Sequence, residues 1–186
     1  WQRLEYYAEP SASHTFDGNA YDSVTHLNDN NESPESRWSS YNGSDVLANP
    51  WVMYTFKSPV TVSGCKVLWY DDGGGVQTPN GLTIEYWDGE QFIPVEHEQD
   101  YTAFPKNQYG EYRFSQVRTT KLRMTMHNDQ TGAAVGIVEW RLIGACESAL
   151  DMQQLPDDLF AAGLAESYFP DNVGAVRADG KGVNDS

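Results

Sequence analysis

Basic residues are scarce. Twelve Lys and Arg against 27 Asp and Glu leave a formal charge of −15 on 186 residues. A chain this acidic repels phosphate backbones and anionic headgroups, so neither nucleic acid nor a membrane surface is an expected partner. No apolar run approaches the roughly 18 residues of a membrane-crossing helix, so membrane insertion is not expected either. Cysteine is nearly absent, with only Cys65 and Cys146. A disulfide between them and two separate buried thiols both fit. Without a CxxC pair or a Cys/His cluster, zinc has no support. His14, His26 and His97 have no companion at metal or catalytic spacing. No G-x-S-x-G nucleophile turn and no phosphate-binding loop occurs. Acids are numerous enough that some close pair is inevitable, so a pair alone does not mark a glycosidase.

What is present is a series of short apolar or alternating runs broken by turn residues. WVMYTFK (51–57) alternates Val52, Tyr54 and Phe56, and Ser58-Pro59 interrupts it. VTVSGCKVLWY (60–70) runs into the turn DDGGG. LTIEYW (82–87) sends Leu82, Ile84 and Tyr86 to one face, then turns at Asp88-Gly89 into QFIPV, a hairpin signal. EYRFSQV (111–117), KLRMTM (121–126) and GIVEWRLIG (136–144) complete the series. Six to eight strands without a long helical pattern predict an all-β fold, an antiparallel β-sandwich. Residues 148–186 read differently. PDDLFAAGLAESYF (156–169) has Pro at a helix start, acids in the first turn and Pro170 after it. The organisation expected is a sandwich over 1–147 and a short helical or extended appendage, or the start of a neighbouring module, over 148–186. The chain opens at Trp1 and reads as a piece of a longer polypeptide.

The ordered set of segments resembles the discoidin (coagulation factor type C) fold, and more closely the bacterial carbohydrate-binding modules of family 32. SASHTF (11–16), NDNN (28–31), SRWSSY (36–41), the long segment 51–75, LTIEYWDGEQFIPV (82–95) and GIVEWRLIG carry the likeness, which spans about residues 8–145. It implies a jelly-roll, galactose-binding-like sandwich. It also implies one structural calcium ion between the first long loop and the last strand. By position in the motif, the ligands would be the side chains of Asp29 and Glu139 and the carbonyls of Asn28, Asn31 and Val138. Ser36 would add a hydroxyl or carbonyl oxygen. Two departures stand out. Asn30 occupies the place of a family glycine, and Phe92 that of a common tryptophan. Glu139 has other readings as well: a solvated face that it shares with Arg141, or an ion pair with Arg37 or Arg141.

The same resemblance puts a sugar site on loops at one end of the sandwich, where an aromatic face takes the ring and polar groups read its hydroxyls. The candidate ligand residues are Tyr70, Asp71, Asp72, Tyr101, Phe104, His127 and Asn128. Tyr109 and Tyr41 are further possible platforms, and Trp38 is read as core. Loops are polar wherever they turn, so Asp71 and Asp72 equally fit a purely structural role. The implied function is a non-catalytic carbohydrate-binding module of a larger secreted bacterial glycan-degrading enzyme, extracellular or on the cell surface. Its expected partners are a neutral galactose- or arabinose-type glycan and the catalytic domain of the parent polypeptide. The alternative is a structural accessory domain without sugar affinity of its own.

Overall fold

The computed structural model describes residues 3–146 and is built almost entirely of antiparallel strands. These are β1 (Glu9–Ala12), β2 (Trp38–Ser39), β3 (Trp51–Tyr70), β4 (Gly81–Trp87), β5 (Phe92–Pro94), β6 (Tyr109–His127) and β7 (Gly136–Cys146). Two short 3-10 turns, Leu4–Tyr7 and Val24–Asn28, precede the main strands. The expected appendage at 148–186 lies outside the described residues. Among the described residues, no helix is long and apolar enough to cross a membrane.

Two long strands, β3 and β6, organise both layers of the jelly-roll sandwich. The first part of β3 pairs with β1 and with the end of β6, Trp51 facing Thr125 and Thr55 facing Lys121. The later part pairs with the start of β6 and with β7, Leu68 facing both Tyr109 and Glu139. The strand order is β2-β7-β3-β6-β4-β5.

The sequence predicts separate strands on either side of Ser58-Pro59, but the structure runs one strand through. The reason is local. The β3–β6 register slips between Thr55 and Val60, so Pro59, which has no N–H to give, sits where the ladder is already interrupted. Similarly, the runs at 111–117 and 121–126 are one strand, β6. The Asp88-Gly89 hairpin forms as expected. Gly89 takes φ 109°, and the Asp88 carboxylate accepts the amides of Glu90 and Gln91, both at 2.8 Å.

The alternating runs place their apolar members inward. Val52, Tyr54, Phe56, Leu122, Met124 and Met126 join Trp38, Trp69 and Trp140 in one core. The indole of Trp140 stacks on Tyr54 with centroids 4.0 Å apart. Much of the aromatic content is therefore core, as Trp38, Trp69 and Trp140 are fully buried.

Cys65 is a free, buried thiol, and burial pushes its pKa up to about 12. Because the thiolate is the reactive form, Cys65 should ignore thiol reagents at pH 8 in a folded Cys146→Ser protein and react only on denaturation. Rapid labelling of the folded chain would contradict its placement.

Candidate functional site

Two neighbouring constellations form where the 19–41 segment meets β7 and the end of β3. The first is a pair of carboxylates. Between Leu68 and Trp69 the β3–β7 register shifts, so that Ile137 and Glu139 are the paired residues and Val138 is the extra one. Such a bulge re-aims the side chains that follow it. Glu139 is left only 1% exposed, which removes the solvated-face reading. Its carboxylate meets that of Asp29. The Asn31 amide donates to both, at 2.9 Å to Asp29 Oδ1 and 3.2 Å to Glu139 Oε1. The Ser36 hydroxyl donates to Asp29 Oδ2.

Burial raises the Glu139 pKa from 4.5 to about 9, reinforced by the hydrogen bond and charge of Asp29; the Asn31 amide and Arg141 oppose the shift. Among the described residues, none donates a hydrogen bond to Glu139 Oε2. The Arg141 guanidinium approaches it at 3.8 Å but gives its closer contact, 3.0 Å, to Glu32. Of the two ion-pair readings, the structure therefore shows only the longer contact to Arg141, since Arg37 faces Asp22 instead.

The loop is held in place by its neighbours. Asn30 takes φ 59°, the left-handed conformation at the position where the resemblance expects glycine. Its side-chain oxygen accepts from Arg3 and Arg141. The Asn28 side-chain amide donates to the carbonyls of Glu5 (2.7 Å) and Ala8 (3.2 Å). The buried Tyr54 hydroxyl donates between the carbonyls of Leu27 (3.0 Å) and Trp140 (2.8 Å), tying the loop to β7. Tyr54→Phe removes this shared donor and should cost about 1–3 kcal/mol in urea unfolding; a change near zero would show that the tie carries no load.

The second constellation is a pocket of about 170 Å³ at the sandwich rim, lined by Phe16, Asn19, Asp22, Arg37, Ser39, Tyr41, Tyr70, Asp72 and Val76. Asn19 fixes one wall by accepting the amides of Tyr21 (2.7 Å) and Asp22 (3.1 Å). Asp22 then bridges to Arg37 in parallel fashion. The Arg37 guanidinium lies 4.5 Å from the Tyr70 ring centre and 5.4 Å from that of Tyr21. It reaches Asp22 at 3.5 Å and donates to the Pro34 carbonyl at 2.7 Å. On the opposite wall Asp72 Oδ1 accepts the amides of Gly74 and Val76, at 2.8 and 3.0 Å. A Cβ at Gly75 would lie 2.9 Å from the Tyr41 ring, so a larger residue there would displace that ring. Three aromatic rings, two acids and one guanidinium thus line one concavity.

The sequence matches the family described as F5/8 type C domain over residues 9–140. The chain belongs to that family. Solved structures share the fold at low identity. A chain of the Streptococcus pneumoniae β-galactosidase BgaA is 19% identical, covers 76% of this chain and 93% of its own length, and gives a TM-score of 0.65. The family 32 carbohydrate-binding module of C. perfringens NanJ, solved with galactose, is 17% identical over 76% and 97% of the two chains, with a TM-score of 0.61. Chitosan-binding module 2 of a Paenibacillus sp. IK-5 chitosanase/glucanase, solved with chitotriose, is 16% identical over 76% and 99%, with a TM-score of 0.59.

Within this F5/8 type C domain the structure brings Tyr70 and Asp72 together in the rim pocket, with Tyr41 beside them. The other five ligand candidates lie elsewhere. Asp71 is buried and secures its own loop, accepting the amides of Gly73 (2.8 Å) and Thr78 (3.2 Å). Asn128 is buried and spans the carbonyls of Leu47 and Ala133 and the amide of Asn49. Both His127 ring nitrogens are engaged, by Thr83 and Asn49. Phe104 packs on Trp69 and Tyr112. Tyr101 stacks on His97 in a different, acidic cleft with Glu98, Asp100 and Glu111.

Phe16, Asn19, Asp22 and Arg37 also line this pocket but are not among the candidates read from the sequence. They come from a loop without strand periodicity, and the bridge that joins positions 22 and 37 leaves no local signal.

Proposed function

We propose that this F5/8 type C domain is a non-catalytic carbohydrate-binding module of a larger secreted glycan-degrading enzyme, taking galactose- or arabinose-type sugars in the rim pocket. The observation that carries this is the Arg37 guanidinium, held by buried Asp22, and the Asp72 carboxylate set among the rings of Phe16, Tyr41 and Tyr70. Aromatic faces cover the apolar side of a pyranose, while an adjacent acceptor and donor read neighbouring hydroxyls. The solved relatives that bind galactose and chitotriose support a saccharide ligand.

The carboxylate pair fits a calcium ion. Two acidic oxygen groups converge, one buried oxygen of Glu139 receives no hydrogen bond from the described residues, and hard oxygen donors suit that cation. Asp29 and Glu139 would hold it, with the carbonyls of Asn28, Asn31 and Val138 and an oxygen of Ser36. Among the described residues no group of three or more His, Cys, Asp or Glu converges, so carbonyls and hydroxyls must complete the shell. The bound ion supplies the positive charge that lets both carboxylates stay ionised. Its role is structural: Ser36 directly precedes Arg37, so clamping the loop to β7 also fixes one pocket wall.

A second reading, an accessory domain with no sugar affinity, draws on Asp71, His127 and Asn128, whose polar groups are spent on the loops themselves. Calorimetric titration with galacto- and arabino-oligosaccharides separates the two. Weak, saturable binding supports the module, and the absence of heat with every neutral sugar supports the accessory domain.

A further inference from the structure

We infer that Tyr21 is an outer platform of the rim site, covering the sugar residue linked to the one that the pocket takes. This rests on the reading of the pocket as a saccharide site. It makes a linked pair of sugar residues, rather than a single one, the unit that is recognised.

The starting observation is an aromatic ring that stands beside the pocket and is not among its lining residues. Among the described residues, Tyr21 is the most exposed of the large hydrophobic side chains, at 46%. A lone exposed ring is ordinary on a protein surface and by itself carries no meaning. Tyr21 differs in how firmly it is held. Its amide donates to Asn19 Oδ1 at 2.7 Å, and its carbonyl accepts from the Arg37 amide at 3.0 Å and from His26 Nδ1 at 2.9 Å. Tyr21 makes all three bonds through its backbone, so none of them needs the ring.

The ring is also placed. The Arg37 guanidinium lies 5.4 Å from the Tyr21 ring centre and 4.5 Å from that of Tyr70, which lines the pocket. One planar group therefore spaces the two rings, and their separation cannot exceed the sum of those contacts. Two linked pyranoses cover such a span. Asn19 joins the pocket to the platform, since it lines the one and anchors the backbone of the other. Its side-chain oxygen serves the amides of Tyr21 and Asp22, so its NH2 group is the donor left for a hydroxyl. A ring with few torsions loses little entropy when it stacks, and a backbone already fixed loses none.

Calorimetric titration of the full chain with galactose and with galactobiose tests this. Galactobiose should bind at least about tenfold more tightly than galactose. Tyr21→Ala keeps the three backbone bonds and should stay folded. It should bring galactobiose down to the galactose level, while galactose itself stays within about twofold. Tyr70→Ala, inside the pocket, should weaken both sugars. Equal affinity of the unaltered protein for the two sugars overturns the outer platform and leaves the pocket standing. An equal loss of both sugars in Tyr21→Ala does the same, since the ring would then only hold Arg37 in place. Binding of neither sugar, with no amide shift at the pocket, overturns both readings.

Discussion

Stripping calcium should lower the melting temperature of this domain by roughly 10 °C. An ion present at about a thousand times its dissociation constant adds about 4 kcal/mol to folding. For a domain of this size, each kcal/mol moves the midpoint by about 2–4 °C. The loss should also depend on pH in a defined direction. Without the ion, buried Glu139 holds a proton beside Asp29, and its pKa rises from 4.5 to about 9. The folded state then binds a proton that the unfolded chain releases above 4.5. This contribution is complete below 4.5 and is lost as pH rises through 9.

On the proposed calcium reading the ion would replace the proton, so the difference between calcium-loaded and calcium-free protein should widen steadily from pH 5 to pH 9. Glu139→Gln imitates the protonated carboxyl. It should abolish the calcium response and flatten this pH dependence of the ion-free protein. Scanning calorimetry of loaded and desalted protein at pH 5, 7 and 9 checks all three expectations. Identical melting curves with and without the ion would remove calcium from the account.

Tyr70→Ala should weaken sugar binding by tenfold or more while the domain stays folded. The ring forms one wall of the pocket and carries the Arg37 guanidinium on its face, 4.5 Å away. Deleting it removes the stacking surface and frees Arg37 to leave Asp22. Losing one central aromatic contact typically costs more than 1 kcal/mol, which already approaches a tenfold change. Tyr101→Ala is the matched control. It lies in the acidic cleft with Glu98 and Glu111 and should leave affinity within about twofold. If Tyr101→Ala abolishes binding and Tyr70→Ala does not, the sugar occupies the other cleft.

The alternating segments made the architecture legible. Val52, Tyr54 and Phe56, or Leu122, Met124 and Met126, can pack on one face only, and the structure buries each of them. The breaks were less legible. Ser58-Pro59 reads as an end of strand in isolation, yet a register slip absorbs it because the partner strand continues past. The carboxylate pair was implied by the family resemblance, and the bulge at Val138 explains how a strand residue can face a loop.

The pocket was the least legible part. Tyr70 and Asp72 stood out because an aromatic and an acid precede a glycine turn. Asp71, next in line and chemically alike, faces inward to hold that turn, a choice made by the amides of Gly73 and Thr78. Asp22 and Arg37 are fifteen positions apart and meet only because the chain folds back as a short parallel bridge. No local pattern encodes that contact.

The claim on which the rest depends is that a saccharide enters between the 19–22 turn, the Arg37–Tyr41 stretch and the 70–76 loop. Amide chemical-shift mapping during a sugar titration reports this directly. Perturbations should gather on Asn19, Asp22, Arg37, Ser39, Tyr41, Asp72 and Val76. Shifts confined to residues 98–103, or a spectrum that no sugar alters, would contradict it.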